Sequence, residues 1–446
     1  MMKTKNKIKR LINTLLILNI LIVFLSCNNK QKDLLSELKS ISDISQITEI
    51  NHDSIYKSAY ELKIIQPVDH NNPDGEKFTQ RVYLSHIDFS KPVVFITEGY
   101  SANRNYKSEL SDLLNSNQII VEHRYFGESK PDSLVWNYLT IKQAAEDHHH
   151  IVQIFKKLYT GKWLNTGISK GGQTTMYHRY FFPNDVDMSV PYVAPLNFST
   201  QDARIYTFLD NVGTKSCREK IMNFQKLLLK NENKLIPMVK KLAEKKGYAF
   251  SIGVEKAFEY NVLEFSFAFW QWGLIKEEDI PENDKSIVNL FNCLTKASSF
   301  NYFSDQGIKE LQAFFYQALT QIGYYGYDIT PFKGLLNYVT DFNFNFAAPK
   351  NVELKFDPKP MKEIKNWLDN KGENFIYIYG ENDTWSATSY RLSGKTNAKK
   401  IYINDGTHIT ARIKNMSDKQ KEIIFSALEK GLDIKIEKAN NEISFK

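Results

Sequence analysis

The sequence predicts an α/β protein with a largely parallel sheet covered on both faces, interrupted past its middle by a mainly helical insertion. Three observations lead there. The first half alternates short apolar runs with helix-like stretches, the pattern of a parallel sheet. Residues 200–350 hold long amphipathic runs, such as 218–246 and 308–322, with few clear strands. Between them, residues 163–172 pass from an apolar strand through Gly167-Ile168-Ser169-Lys170-Gly171 into helix-like residues.

Taken in order, residues 60–66 and 78–86 read as a strand pair joined by a loop containing Asp74-Gly75. A buried strand follows at 92–97, a short helix at 106–114 and an apolar strand at 118–122. Thr140 caps a helix reaching about residue 159, with Gln143 placed to complete a capping box. Strand 162–166 then leads to a helix over 173–182 that Pro183 stops, and to a strand within 186–194. Past the insertion come a helix at 361–370, strands at 374–379 and 400–404, and a last helix opened by Ser417 and Gln420. The chain divides into a leader at 1–26, a polar tether at 27–47, a first core segment at 48–200, a helical cap at 201–350 and a second core segment at 351–446.

Residues 167–171 fit G-x-S-x-G, the turn that lifts a serine Oγ off the sheet in α/β-hydrolases. The fold class is therefore an α/β-hydrolase fold with a mainly helical cap inserted between nucleophile and acid. A serine hydroxyl needs a base to take its proton, and in this fold the partners follow in the order nucleophile, acid, histidine. Strand 374–379 runs into Gly380-Glu381-Asn382-Asp383, which places Asp383 at the sheet edge where sites form, with Glu381 its nearest rival. The next strand leads to Asp405-Gly406-Thr407-His408, a glycine loop able to project an imidazole. Ser169, Asp383 and His408 form the candidate triad. The Lys170 amide is one candidate oxyanion donor, and Gly99 or Tyr100, in the loop after strand 92–97, is the second. Glu98 in that loop is a candidate anchor for a substrate's α-amino group, or simply a loop carboxylate.

The leader combines Lys3, Lys5, Lys7, Lys9 and Arg10 with an apolar stretch ending in Phe24-Leu25-Ser26-Cys27. That ending resembles the lipobox of bacterial lipoproteins, which implies cleavage before Cys27, its lipidation, and a site in the cell envelope. Residues 1–26 carry five basic and no acidic side chains, so their removal lowers the formal charge from +7 to +2. The basic balance therefore gives no argument for nucleic acid binding. Cys217 and Cys293 remain, available for one disulfide if their Cα atoms come close enough. No zinc-like spacing accompanies them, and His148-His149-His150 reads as a solvated helix face and not as a metal site.

With these residues placed, the chain resembles the secreted bacterial tripeptidyl aminopeptidases, serine peptidase family 37, relatives of the prolyl carboxypeptidases and lysosomal-type dipeptidyl peptidases. The resemblance rests on Gln66-Pro67-Val68-Asp69-His70, on Glu122-His123-Arg124-Tyr125-Phe126-Gly127-Glu128-Ser129, on Gly167-Ile168-Ser169-Lys170-Gly171-Gly172, and on Tyr192-Val193-Ala194-Pro195. It implies the same triad, a structural role for Arg124 and an exopeptidase acting on peptide N-termini through an acyl-enzyme. Ser-Lys-Gly-Gly favours the tripeptidyl branch. A proline-directed dipeptidyl peptidase or carboxypeptidase, an esterase, and a surface binding lipoprotein are the alternatives. The expected partners are peptide substrates and, through the lipid, a membrane; no metal or organic cofactor is required by this chemistry, and oligomeric state is not readable.

Overall fold

A computed structural model describes residues 33–283 and 285–436. The leader, Cys27 and the start of the tether lie outside them. By compactness the chain groups as Met1–Ile44 and Ser45–Lys446. The first group contains helix α1 (Leu34–Lys39), capped by the Asp33 side chain.

The second group is built on a nine-stranded sheet: β1 (Ile44–Glu49), β2 (Ser58–Pro67), β3 (Lys77–His86), β4 (Val93–Thr97), β5 (Asn117–Val121), β6 (Trp163–Ile168), β7 (Met188–Tyr192), β8 (Ile376–Gly380) and β9 (Lys399–Ile403), in the spatial order β1-β2-β3-β5-β4-β6-β7-β8-β9. β2 and β3 form an antiparallel hairpin, and β3 meets β5 antiparallel. From β5 through β4, β6, β7, β8 to β9 every pairing is parallel. The carboxyl ends of these six strands therefore share one edge, where α/β folds build their sites.

Helices α2 (Glu109–Leu114), α3 (Ile141–Phe155) and α4 (Lys170–Phe181) alternate with strands in the first half. Between β7 and β8 come α5 (Ala203–Leu209), α6 (Lys215–Lys230), α7 (Glu232–Lys246), α8 (Val254–Trp272), α9 (Ile287–Ala297), α10 (Asp305–Gln317) and α11 (Lys359–Lys371); α12 (Asp418–Leu432) closes the fold. β8 shows how the sheet is covered. Ile376 and Ile378 pack in one apolar cluster with Leu110 of α2 and Leu428 of α12. Phe375, Tyr377 and Tyr379 pack in the other, with Met176 of α4 and Leu368 of α11, which continues without a break into Phe224, Phe258 and Phe265 of the inserted helices. Period-two alternation thus buries both faces of one strand.

Several expectations are refined. Residues 34–39 and 44–49 are helix and strand where a tether was expected. The helix expected from 106 begins at Glu109, because Ser108 caps it. Thr140 does cap α3, but the Gln143 side chain turns instead to Asp69 and the His70 amide. Residues 218–246 divide into two helices at Asn231. The histidine run is no solvated face: His148 is fully buried between Phe95 of β4 and His178 of α4, His149 bonds Asp185, and His150 bonds Gln66. Cys217 and Cys293 are both free, so the disulfide is not formed. Each is an apolar packing residue on its own helix, α6 or α9, and burial pushes the thiols up to about 11 and about 12.

One ionic knot ties the hairpin to the sheet. Arg124, just past β5 and fully buried, donates to both Asp147 carboxylate oxygens on α3, at 2.6 and 2.8 Å, and to the Pro67, Val68 and Tyr138 carbonyls. Burial alone would raise the Asp147 carboxyl, yet Arg124 and His70 hold it below its ordinary value. The structural role implied for Arg124 is the one observed. Arg124→Leu strands a buried carboxylate, so thermal or urea unfolding should show a loss of about 3–5 kcal/mol.

Candidate active site

Ser169 sits between the end of β6 and the start of α4 with φ 58° and ψ −123°, a conformation that an L-residue adopts only when its surroundings force it. They do. The Ser169 amide donates to Tyr192 O of β7 at 2.9 Å, and its carbonyl accepts the first helical bond, from Gln173. The turn is so tight that a β-carbon at Gly167 would lie 2.3 Å from Gly171 O. Glycine is required there by contact.

Asp383 follows β8 and His408 follows β9, so the parallel sheet brings both side chains to the edge that carries Ser169. Asp383 is fully buried; one carboxylate oxygen accepts the Trp385 amide and the other meets His408 Nδ1 at 2.7 Å. An ionised carboxylate only accepts, so Nδ1 carries the hydrogen and Nε2 keeps its lone pair for a proton. The inserted helix α8 supports this pair from above. Gln271 O accepts the His408 amide, Phe267 O accepts the Thr384 hydroxyl, and the Trp272 ring stands edge-on to the imidazole at 5.5 Å. These supports were not readable in sequence, because backbone carbonyls carry no residue signature.

The loop after β4 closes the other side. Gly99 presses on the serine turn: a β-carbon there would lie 2.5 Å from Gly171 N. The side chain of Lys170, buried beside the serine, runs back to donate from Nζ to Gly99 O at 2.7 Å, lying over the Tyr100 and Phe126 rings. Burial pushes this amine well below the ordinary lysine pKa. Because the peptide is planar and trans, fixing the Gly99 carbonyl also fixes the Tyr100 N–H, which points the opposite way. Neither the Lys170 nor the Tyr100 amide donates to a protein acceptor among the described residues. Glu98 is partly buried and accepts the Tyr106 hydroxyl at 2.8 Å; burial raises its carboxyl, with Tyr106 pulling the other way. Sequence reasoning placed Lys170 by its backbone and missed its side chain, whose role depends on a loop 71 positions away.

The arrangement can add a serine oxygen to a carbonyl, hold the resulting oxyanion on backbone amides, and return the proton to a leaving group. With an activated ester as reporter, Asp383→Asn should lower kcat by roughly 10⁴-fold, since an amide no longer fixes the imidazole tautomer. Lys170→Met keeps the buried stem but frees the Gly99 carbonyl. It should lower kcat about 10- to 100-fold with little change in KM, within the cost of losing an oxyanion donor.

Comparison with known proteins gives the family. A family model described as PS-10 peptidase S37 matches residues 27–432. The prolyl tri/tetrapeptidyl aminopeptidase of Streptomyces mobaraensis is 34% identical over 351 residues, 77% of this chain and 74% of that protein. A probable serine protease of Arabidopsis thaliana, EDA2, is 26% identical over 254 residues, 50% of each chain. Among solved structures, the proline iminopeptidase of Mycobacterium smegmatis overlays with a TM-score of 0.39 at 9% identity, covering 83% of this chain and 98% of that one.

Proposed function

The chain belongs to the S37 family of serine peptidases, and on that premise we propose that it releases short peptides, chiefly tripeptides, from free N-termini. The observation carrying the mechanism is the 2.7 Å bond from His408 Nδ1 to Asp383 at the sheet edge where the strained Ser169 turn stands. His408 Nε2 takes the proton from Ser169 Oγ as the oxygen attacks the scissile carbonyl. The Lys170 and Tyr100 amides hold the oxyanion. His408 then passes the proton to the departing amine, leaving the short peptide esterified to Ser169. Water, deprotonated by the same imidazole, breaks the ester and returns the serine its hydrogen. The likeness to the Streptomyces enzyme, named for prolyl tri- and tetrapeptidyl release, supports the choice of an exopeptidase over an esterase.

We further propose that Cys27 is lipidated after removal of residues 1–26, holding the enzyme in the bacterial cell envelope. Among the described residues no helix is long and apolar enough to cross a membrane.

Mass spectrometry of a mixed library of unblocked peptides tests the activity. Tripeptides should appear stepwise from N-termini and be absent with Ser169→Ala. Release of dipeptides or of C-terminal residues would overturn the tripeptidyl assignment. For the anchor, Cys27→Ser should abolish incorporation of labelled fatty acid and move the protein out of the membrane fraction; unchanged fractionation and labelling would overturn lipidation at this residue.

A further inference from the structure

The inserted helix α8 carries two buried carboxylates, and they are treated very differently. Glu259 is fully buried, and the amides of Asn337, Tyr338 and Val339 all donate to it, so its charge is satisfied by the local backbone. Glu264 is only 6% exposed, and its donors among the described residues are two phenols, Tyr325 at 2.8 Å and Tyr327 at 2.7 Å, both on Oε2. Among the described residues no lysine, arginine or histidine pairs with Glu264, and Oε1 has no hydrogen-bond donor. A carboxylate in so apolar a setting with no cationic partner is expensive unless a ligand completes it.

Its surroundings suit a small cation. The Tyr325 ring stacks on Phe267 at 4.0 Å and meets Trp385 at 5.5 Å, and Phe344 packs on both Tyr325 and Tyr327. Aromatic faces grouped around a carboxylate are a recognised receptor for an ammonium group. Phe267 and Tyr327 also line a cavity of about 640 Å³ in the inserted region, so the cage borders on open space.

Its position suits a ruler. Glu264, Phe267 and Gln271 lie at i, i+3 and i+7, on one face of α8. On that face Phe267 O holds Thr384, next to Asp383, and Gln271 O holds the His408 amide. At 1.5 Å per residue, Glu264 lies about 10 Å along the helix from the residue supporting the catalytic histidine. A short extended peptide, at about 3.3–3.6 Å per residue, is on the same scale as that spacing.

We propose that Glu264 binds the free α-ammonium group of the peptide substrate and so sets cleavage three residues in. This rests on the exopeptidase reading above and assigns the group that enforces it. Burial pushes the Glu264 carboxyl up to about 7, against the two tyrosine hydroxyls, which lower it. A peptide α-ammonium loses its proton near about 8. Both partners are charged only in that window: recognition weakens below it as Glu264 protonates and above it as the amine becomes neutral.

The test compares a tripeptide p-nitroanilide with its N-acetyl form across pH, on the wild-type enzyme, Glu264→Gln, Tyr327→Phe and Glu98→Gln, with fluorophosphonate labelling of Ser169 as a readout blind to the N-terminus. The ratio of kcat/KM for the two substrates cancels any pH dependence they share. Wild type should favour the free N-terminus, with the ratio greatest between about 7 and about 8. Glu264→Gln should lose about 100-fold of that ratio, chiefly through KM, while acetylated substrate and labelling are unchanged; this is the scale for removing one member of a buried charge pair. Tyr327→Phe should move the acid limb of the ratio to higher pH, because one hydroxyl no longer lowers the carboxyl; this variant decides the matter if Glu264→Gln does not fold. An intact ratio in Glu264→Gln, an equal loss on both substrates with slowed labelling, or no shift in Tyr327→Phe overturns the assignment. So does loss of the ratio in Glu98→Gln alone, which moves the anchor to the loop after β4. A wild-type enzyme indifferent to acetylation overturns the exopeptidase reading itself, before any variant is compared.

Discussion

The strained serine is the constraint on which the site depends. A residue held at φ 58° and ψ −123° costs on the order of 1–3 kcal/mol, and the neighbouring structure must supply it. Here the neighbours are specific. β7 accepts the serine amide, and the Thr97 hydroxyl at the end of β4 bonds the Gly171 carbonyl and the Thr175 hydroxyl of α4. The adjacent glycines leave no room for a side chain: a β-carbon at Gly172 would lie 2.7 Å from that of Ala194. The run Gly-Ile-Ser-Lys-Gly-Gly is therefore a packing requirement as much as a catalytic one. Lys170 adds a further function, since its buried side chain also fixes the Gly99–Tyr100 peptide of the loop after β4.

The rest of the chain makes that turn affordable by rigidity at a distance. The parallel order from β5 to β9 collects Ser169, Asp383 and His408 at one edge although 239 positions separate the first from the last. The Arg124–Asp147 knot holds α3 against the end of the β2–β3 hairpin. Its buried charges specify one arrangement, since each loses its main compensating partner if the elements slip.

Much of this was legible in sequence, for a physical reason. Strand alternation, the nucleophile turn and the chain order of the triad are local patterns or simple consequences of parallel topology, and Ser417 with Gln420 makes the capping box expected of them. What was not legible depends on partners remote in sequence. His148 reads as a surface histidine until α4 is laid over it. Gln143 is drawn from its own helix cap by Asp69 in the hairpin loop. Cys217 and Cys293 gave no sign of lying apart on separate packed helices. Glu264 is one acid among many in the sequence; only the approach of Tyr325 and Tyr327, 61 and 63 positions later, distinguishes it from Glu259 on the same helix.

The inserted helices are then more than a cover over a finished site. α8 lends one backbone carbonyl to the histidine loop and another to the acid loop, and the apolar cluster beneath it runs unbroken into the flank of the sheet. A motion that lifted α8 from the sheet would withdraw support from the acid and the base together, leaving Ser169 without a positioned partner. A motion that leaves α8 in place keeps both supports. With α8 so held, the distance between any group on the α8 face and the triad is a constant of the enzyme, which is the condition for a helix to measure peptide length. A cap free to rock as a rigid body could exclude folded proteins, but it could not count residues.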